Sequence, residues 1–448
     1  MSTISDINTS ETLVLGMGLT GASIARWLKR RGRSAVFADT RSAVDATAIR
    51  ESLPNATVIT DADTRVLDGK TEVIISPGVS DQDPIVSEIR AREIPTHSDI
   101  TLFAQDAEAP IVAVTGTNGK STVVSLLAHM CQQADVVFAA GGNLGVPVLD
   151  LQEPGERGFY LLELSSFQLS RTAELPLQCG CVLNIEPDHL DWHGDFAAYE
   201  AAKLSIYQNC AYAVLPAGHA WPSDAIDVDA VKLRFGKNPP EDARSFGVVE
   251  HDGRRYWANG SERILAVEEA AMIGEHNVLN IAAALAIGSS IDLPLSAMVA
   301  AIRSFPGLDH RHQLVSVLDG VRYVDDSKAT NCAAALASAE AVAGPVVMLI
   351  GGLGKGEDYS AFTRHLPTRV RFAVAYGAIG AEVATALADN GLEHDTAKDL
   401  PSAVRAAQAM AQPGDTVLLA PAAASQDAYR DYKARGQHFR QLIEGLAA

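Results

Sequence analysis

Short apolar runs rich in β-branched residues alternate with longer amphipathic stretches along almost the whole chain. That rhythm predicts strands and helices in strict succession, hence parallel sheets with helices on their faces. Near the start, Thr12–Leu15 predicts a strand, and a helix follows to about Arg31. Strands SAVFADT, ATVIT and TEVIIS come next, then a helix around Ile85–Arg92. A second series opens on Ile111–Thr115 and the apolar helix VVSLLAHM. It continues through VVFAA, FYLLELSSFQLS and CGCVLNIE to a helix from about Phe196 to Gln208. Beyond Ala213 the pattern shortens to KLRFG, RSFGVVE, RRYWANG and RILAV, with an Asp-Gly turn at 252–253, which predicts a β meander. The helix IAAALAIGSSI closes this series, and Phe305-Pro306-Gly307 breaks the chain. A third series contains VRYVDDSKATN, VVMLIGG, RFAVAYG, DTVLLAP and the helix DAYRDYKARGQHF. The fold class expected is α/β in three domains: residues 1–97 Rossmann-like, 98–306 a central P-loop sheet with an added meander, and 307–448 again Rossmann-like. Hinges are expected near Ser98 and Gly307.

At 448 residues the chain has room for these three units. A formal charge of -19 argues against nonspecific binding to nucleic acid or an anionic membrane, since both rely on basic surfaces. No apolar run reaches 18 residues, and MSTISDINTS has neither a basic nor an apolar targeting segment, so a cytoplasmic protein is expected. Five cysteines (Cys131, Cys179, Cys181, Cys210, Cys332) without CxxC or zinc spacing predict buried free thiols.

Candidate chemistry gathers at strand ends. Gly116-Thr117-Asn118-Gly119 turns tightly between a buried strand and the helix opened by Lys120-Ser121-Thr122. Such a turn aims backbone N–H groups and the positive helix end at one point, where Lys120 can reach nucleotide phosphates and Ser121 or Thr122 a Mg²⁺. The first glycine of the full P-loop pattern is replaced by Val114, so a plain glycine turn with a surface lysine is the competing reading. Glu163, at the end of an apolar strand, and His189 in PDHLD add a carboxylate and an imidazole; turn capping and a loop hydrogen bond are their bland alternatives. Lys203 could merely pair with Glu200. Asn277 and Asn280 lie one helical turn apart and could read a base edge, or simply start a helix. Upstream, Gly16-Met17-Gly18-Leu19-Thr20-Gly21 matches GxGxxG, with Asp39 eighteen residues after Gly21. That loop fits NAD, and so a dehydrogenase, or equally a UDP-sugar; a second nucleotide loop speaks against the dehydrogenase. Ser425 reads as a helix N-cap or, with Lys355 nearby, as an anion ligand.

TGTNGKST, GGNLG, ELSSFQL, NIEPDHLDWHG, YEAAKL, GEHNVLN, FPGLDHRH, DDSKATN, GGLGKG and the Ser425–Gly436 block together resemble the Mur ligase family, from about Gly16 to Gly436. ELSSFQL, and DDSKATN beside HRH, look most like its D-glutamate-adding member; another family ligase or a folylpolyglutamate synthetase-like enzyme is the runner-up. The resemblance implies an ATP-dependent amide ligase that phosphorylates the carboxylate of UDP-N-acetylmuramoyl-L-alanine and passes the acyl group to D-glutamate. It implies that Gly116, Thr117, Asn118, Gly119, Lys120, Ser121, Thr122, Asn277, Asn280, Arg311 and Asp326 bind ATP. Two Mg²⁺ ions would be held by Ser121, Glu163, His189 and Lys203, the lysine as a carbamate formed with CO₂. Lys120, Glu163, His189 and Lys203 would be catalytic. Gly18, Leu19, Thr20, Asp39, Thr40, Gly78 and Asn143 would bind the UDP substrate. Thr330, Lys355, Ser425 and Tyr432 would bind D-glutamate, and His310 or a water would take the amine proton. A monomer acting on small molecules, without nucleic-acid or membrane partners, is expected.

Overall fold

Every residue of Ile111–Thr115 is buried, as are those of Thr12–Leu15 and Val346–Gly351. Continuous apolar runs of this kind belong at the centre of parallel sheets covered on both faces, and each of the three heads one such sheet. The computed structural model describes residues 11–143, 145–172, 175–219, 221–222, 225–272, 274–354 and 356–446. Two compact units result: Met1–Glu269 with Leu279–Ser304, and Ala270–Val278 with Phe305–Ala448.

The first unit holds two sheets. One comprises β1 (Thr12–Leu15), β2 (Val36–Ala38), β3 (Thr57–Ile59), β4 (Glu72–Ile75) and β5 (Thr96–His97), ordered β3-β2-β1-β4-β5, all parallel. Strand order reverses between β1 and β4, so the crevice beyond their carboxyl ends is where an α/β sheet takes a ligand. The second comprises β6 (Ile111–Thr115), β7 (Phe138–Gly142), β8 (Phe159–Glu163), β9 (Leu177–Val182), β10 (Cys210–Pro216), β11 (Val231–Phe235), β12 (Ser245–His251), β13 (Arg254–Asn259) and β14 (Glu262–Ala266). Its order is β14-β13-β12-β11-β10-β9-β6-β8-β7, placing the glycine turn after β6 between the ends of β8 and β9. A core including Ile24, Leu28, Phe103, Tyr160 and Leu162 joins residues of both sheets. At roughly 1.5–3 kcal/mol per buried large apolar side chain, it outweighs any surface pairing along that seam.

The second unit holds β15 (Gln313–Leu318), β16 (Val321–Asp325), β17 (Val346–Gly351), β18 (Val370–Tyr376), β19 (His394–Ala397) and β20 (Thr416–Leu419). The order β15-β16-β20-β17-β18-β19 is parallel except for the β15–β16 hairpin. Separate apolar clusters cover its two faces.

Three expectations need correction. KLRFG is no part of a meander: β11 lies parallel to both β10 and β12, and only β12, β13 and β14 run antiparallel. The loops on either side of β11 carry the chain back, which strand spacing alone does not reveal. The last helix is Tyr432–Leu446 rather than one starting after Ser425; Asp431 caps it, its Oδ1 accepting the Ala434 N–H at 2.8 Å. Finally, four thiols are buried, whereas Cys332 is half-buried and donates to Glu357 Oε2 at 3.4 Å. Among the described residues no helix is long and apolar enough to cross a membrane.

Candidate active site

The turn after β6 is left-handed at Gly119 (φ 85), and a Cβ there would meet Asn280 Oδ1 at 2.5 Å. Only glycine meets both conditions. The following residues are tied to the end of β9: Thr117 N–H donates to Asn184 O (2.9 Å) and Asn118 N–H to Asn184 Oδ1 (2.8 Å). Thr117 Oγ1 also sits 2.9 Å from the Tyr199 hydroxyl. This bracing leaves the helix Lys120–Gln133 with Gly119 as N-cap and no side-chain cap, and with Ser121 and Thr122 buried in its first turn. An N-terminus of this form suits a phosphate.

Two lysine amines converge on one carbonyl. Lys120 Nζ donates to Gly116 O (2.7 Å) and Thr117 O (2.9 Å); Lys203 Nζ, on the helix Phe196–Leu204, donates to the same Gly116 O at 2.9 Å. Lys203 is 2% exposed and lies 4.7 Å from the centre of the Tyr199 ring. Burial pushes its pKa down to about 6, with the Lys120 charge acting in the same direction and Asp188 and Glu163 opposing. The bland reading, a surface pair with Glu200, does not hold for so buried an amine.

Glu163 closes β8. Its Oε1 accepts from Asn143 Nδ2 at 2.7 Å, while Oε2 is enclosed without a hydrogen-bond donor. A buried carboxylate oxygen left bare costs about 1–3 kcal/mol or more, and a bound cation removes that cost. His189 adopts a left-handed conformation (φ 54) at the start of the short helix Leu190–His193, its ring 4.8 Å from Phe167 and Nε2 3.6 Å from Asp188 Oδ2. Ser121 and Glu163 are oxygen donors of the kind Mg²⁺ takes, phosphate oxygens would complete its shell, and His189 would add a nitrogen. Among the described residues no group of three or more His, Cys, Asp or Glu side chains is placed to hold a metal ion by itself.

At the β1–β4 crevice, Gly16 (φ 97) faces Ser76, and Ser76 Oγ donates to Gly16 O at 3.0 Å. Gly18 and Gly78 have open space where a Cβ would stand, Leu19 is 80% exposed, Thr40 is exposed and Thr20 is half-buried. Asp39 is bonded within its own loop: Oδ2 accepts the Met17 N–H at 2.9 Å and both oxygens take the Arg41 guanidinium. Burial pushes its pKa up, but the Arg41 and Met17 hydrogen bonds prevail and hold it at about 2. Its visible role is to brace the glycine loop. Asn143, expected near the substrate, donates to Glu163.

In the second unit the ends of β16, β20 and β17 are neighbours, bringing together the loops 326–331, 422–425 and 351–354. The residue that binds them, Arg435, was not anticipated. Only 1% exposed, it donates to Ser327 Oγ (3.0 Å), Ser327 O (2.9 Å), Ala423 O (3.0 Å), Ala424 O (3.2 Å) and Gly351 O (3.3 Å). The five fixed donors of a guanidinium suit such a task, whereas a lysine could not span it. Within this cluster the buried Ser425 Oγ has no partner, Thr330 is half-buried, and Tyr432 carries Lys328 Nζ 4.6 Å above its ring. Lys355 lies outside the described residues. Burial raises the pKa of Asp326, which Ser338, His276 and Arg311 counteract. His310 Nδ1 is 2.6 Å from Asp325 Oδ2, and Arg440 Nε lies 3.4 Å from the same oxygen. Asn277 and Asn280 are both buried near the start of the helix Glu275–Ser290.

Known proteins resemble the chain along nearly all its length. Residues 10–98 match the Mur ligase MurD-like N-terminal domain, 114–288 the Mur ligase middle domain and 310–423 the Mur ligase glutamate ligase domain. The UDP-N-acetylmuramoylalanine–D-glutamate ligase of Nitrosococcus oceani is 39% identical over 97% of this chain and 96% of its own length. Its namesake from Pseudomonas aeruginosa is 38% identical over 97% and 98%. The crystal structure of the UDP-N-acetylmuramate-alanine ligase of Thermotoga maritima shares the fold at 17% identity, with a TM-score of 0.61 over 97% of this chain and 99% of that one. With all three sheets matched in order, the chain belongs to the Mur ligase family.

Proposed function

We propose that this protein joins D-glutamate to UDP-N-acetylmuramoyl-L-alanine at the expense of ATP, in peptidoglycan precursor synthesis. The observation that carries the reading is the near-full-length likeness, at 38–39% identity, to relatives named for that reaction. A carboxylate is a poor electrophile, so the substrate carboxylate oxygen first bonds to the γ-phosphorus while the bond to ADP breaks. The amine nitrogen of D-glutamate then attacks the acyl carbon, phosphate departs, and the nitrogen loses a proton to leave the amide.

Phosphoryl transfer is chiefly positioning and charge neutralisation. Gly116, Thr117, Asn118, Gly119, Lys120, Ser121 and Thr122 cradle the phosphates, and Asn277, Asn280, Arg311 and Asp326 are assigned to the rest of the nucleotide. Mg²⁺, when bound, neutralises the transferring group; Ser121, Glu163, His189 and a carbamate of Lys203 would hold two ions. Carbamate formation needs a neutral amine, and burial that pushes the Lys203 pKa down to about 6 favours that form at pH 7. The bare Glu163 Oε2 supports the cation assignment in the same way.

Gly18, Leu19, Thr20, Asp39, Thr40, Gly78 and Asn143 take the UDP-linked substrate. Thr330, Lys355, Ser425 and Tyr432 take D-glutamate, and the unpartnered Ser425 hydroxyl suits its side-chain carboxylate. His310 remains our candidate for the amine proton. We place the substrate, nucleotide and amino-acid functions in residues 1–97, 98–306 and 307–448, in a cytoplasmic monomer without nucleic-acid or membrane partners. Mass spectrometry of the UDP-linked product tests the reading. Addition of one glutamyl residue from the D isomer alone supports it; addition of another amino acid, or of glutamate to a folate, rejects it.

A further inference from the structure

Arg171 follows the short helix Ser166–Leu169, which Ser165 opens with a reciprocal capping box two residues after Glu163. Position 171 carries no motif signal and reads as an ordinary surface arginine, yet only 9% of its side chain is exposed. Its guanidinium crosses from the second sheet to the loop after β4. Nη1 donates to Ser76 O at 2.8 Å, and Nη2 donates to Val79 O and, at 2.8 Å, to Asp81 Oδ1. Its other surface is covered by Trp192, whose ring centre lies 5.3 Å from Cζ.

The three acceptors bracket Gly78, and Ser76 is itself bonded to Gly16. The loop after β4 is therefore held on one side by the glycine turn after β1 and on the other by Arg171. Trp192 in turn packs on Phe167, against which the His189 ring also lies. One continuous set of contacts thus runs from the Gly78 loop to the residues assigned to phosphoryl transfer. Carbonyl acceptors on a loop need a donor of fixed geometry, and a bidentate guanidinium meets that need where a lysine ammonium reaches one acceptor at a time.

We propose that Arg171 is a positioning residue for the UDP-linked substrate, fixing the Ser76–Asp81 loop against the segment that carries Glu163. The proposal rests on the UDP reading of the β1–β4 crevice. It is tested by titrating UDP calorimetrically into wild type, R171A, R171K, D81N and R90A, with steady-state KM values for the UDP-linked acid and ATP, and amide exchange of residues 76–81. R171A should weaken UDP and raise the KM of the UDP-linked acid by about tenfold, a loss expected for two to three hydrogen bonds to the loop, with the KM for ATP within about twofold. Exchange across residues 76–81 should quicken, and R171K should recover only part of the loss. UDP affinity unchanged in a folded R171A, or equal losses for UDP and ATP, overturns the proposal. Asp81 Oδ1 also pairs with Arg90 Nη2 at 3.1 Å, so if R171A does not fold, D81N beside R90A decides: UDP about threefold weaker in D81N but unchanged in R90A supports the clamp, and equal affinities in the two overturn it. Wild type that binds no UDP overturns both the clamp and the substrate reading beneath it.

Discussion

Lys203 shows how far single residues can be read from sequence. Its place in YEAAKL carries the family resemblance, but spacing alone favours a solvent-facing pair with Glu200. Burial beside Lys120 changes that, because a second ammonium at Gly116 O is disfavoured and the amine is held near pKa 6. The sign follows from linkage. Between about pH 6 and the unfolded value near 10.5, the unfolded chain binds the proton and the folded chain does not, so this site gains stability as pH rises and loses it as pH falls toward 6. At pH 7, Lys203→Met should therefore raise the melting temperature by about 2 °C or more while abolishing ligase activity. A lower melting temperature would mean the ammonium is paired after all. Lys203→Ala should regain activity with small carboxylic acids that replace the carbamate oxygens; full activity without them would end the carbamate assignment. Glu163→Gln should remove most turnover, on the order of a hundredfold, without lowering thermal stability, since it discharges an oxygen that has no donor. Partners were less legible than residue types. Asp39 stands where a ribose ligand is expected, and its bonds to Met17 and Arg41 are set by a side-chain conformation that no spacing records.

At the scale of elements, strands were legible because their apolar runs are buried on both faces, and glycine turns because Gly16, Gly116 and Gly119 need positive φ or close approach. Helix starts and strand directions were less so. DAYRDYKARGQHF is amphipathic from its first residue, but the chain stays in turns until Asp431 caps Tyr432. Asp431→Ala should cost about 1 kcal/mol of stability, measured by denaturant unfolding, while Gln426→Ala should cost nearly nothing. Equal costs would favour a helix begun earlier. The arginines that organise loops, Arg171 and Arg435, escaped notice for one reason: a guanidinium buried by tertiary carbonyls has no periodic signature, and its local sequence is that of a solvated face.

For the molecule as a whole, the apolar core shared by the first two sheets and the separate cores of the third predict at least two calorimetric transitions. UDP at about 100 times its dissociation constant should stabilise the first unit alone, by about 2.7 kcal/mol, since every residue assigned to it lies there. An equal shift of both transitions would contradict that assignment. The measurement closest to the central claim is phosphate release from ATP in the presence of UDP-N-acetylmuramoyl-L-alanine. Sustained release that requires D-glutamate, and that L-alanine or meso-diaminopimelate cannot replace, is the predicted result. Release indifferent to D-glutamate, or driven equally by another amino acid, would contradict it.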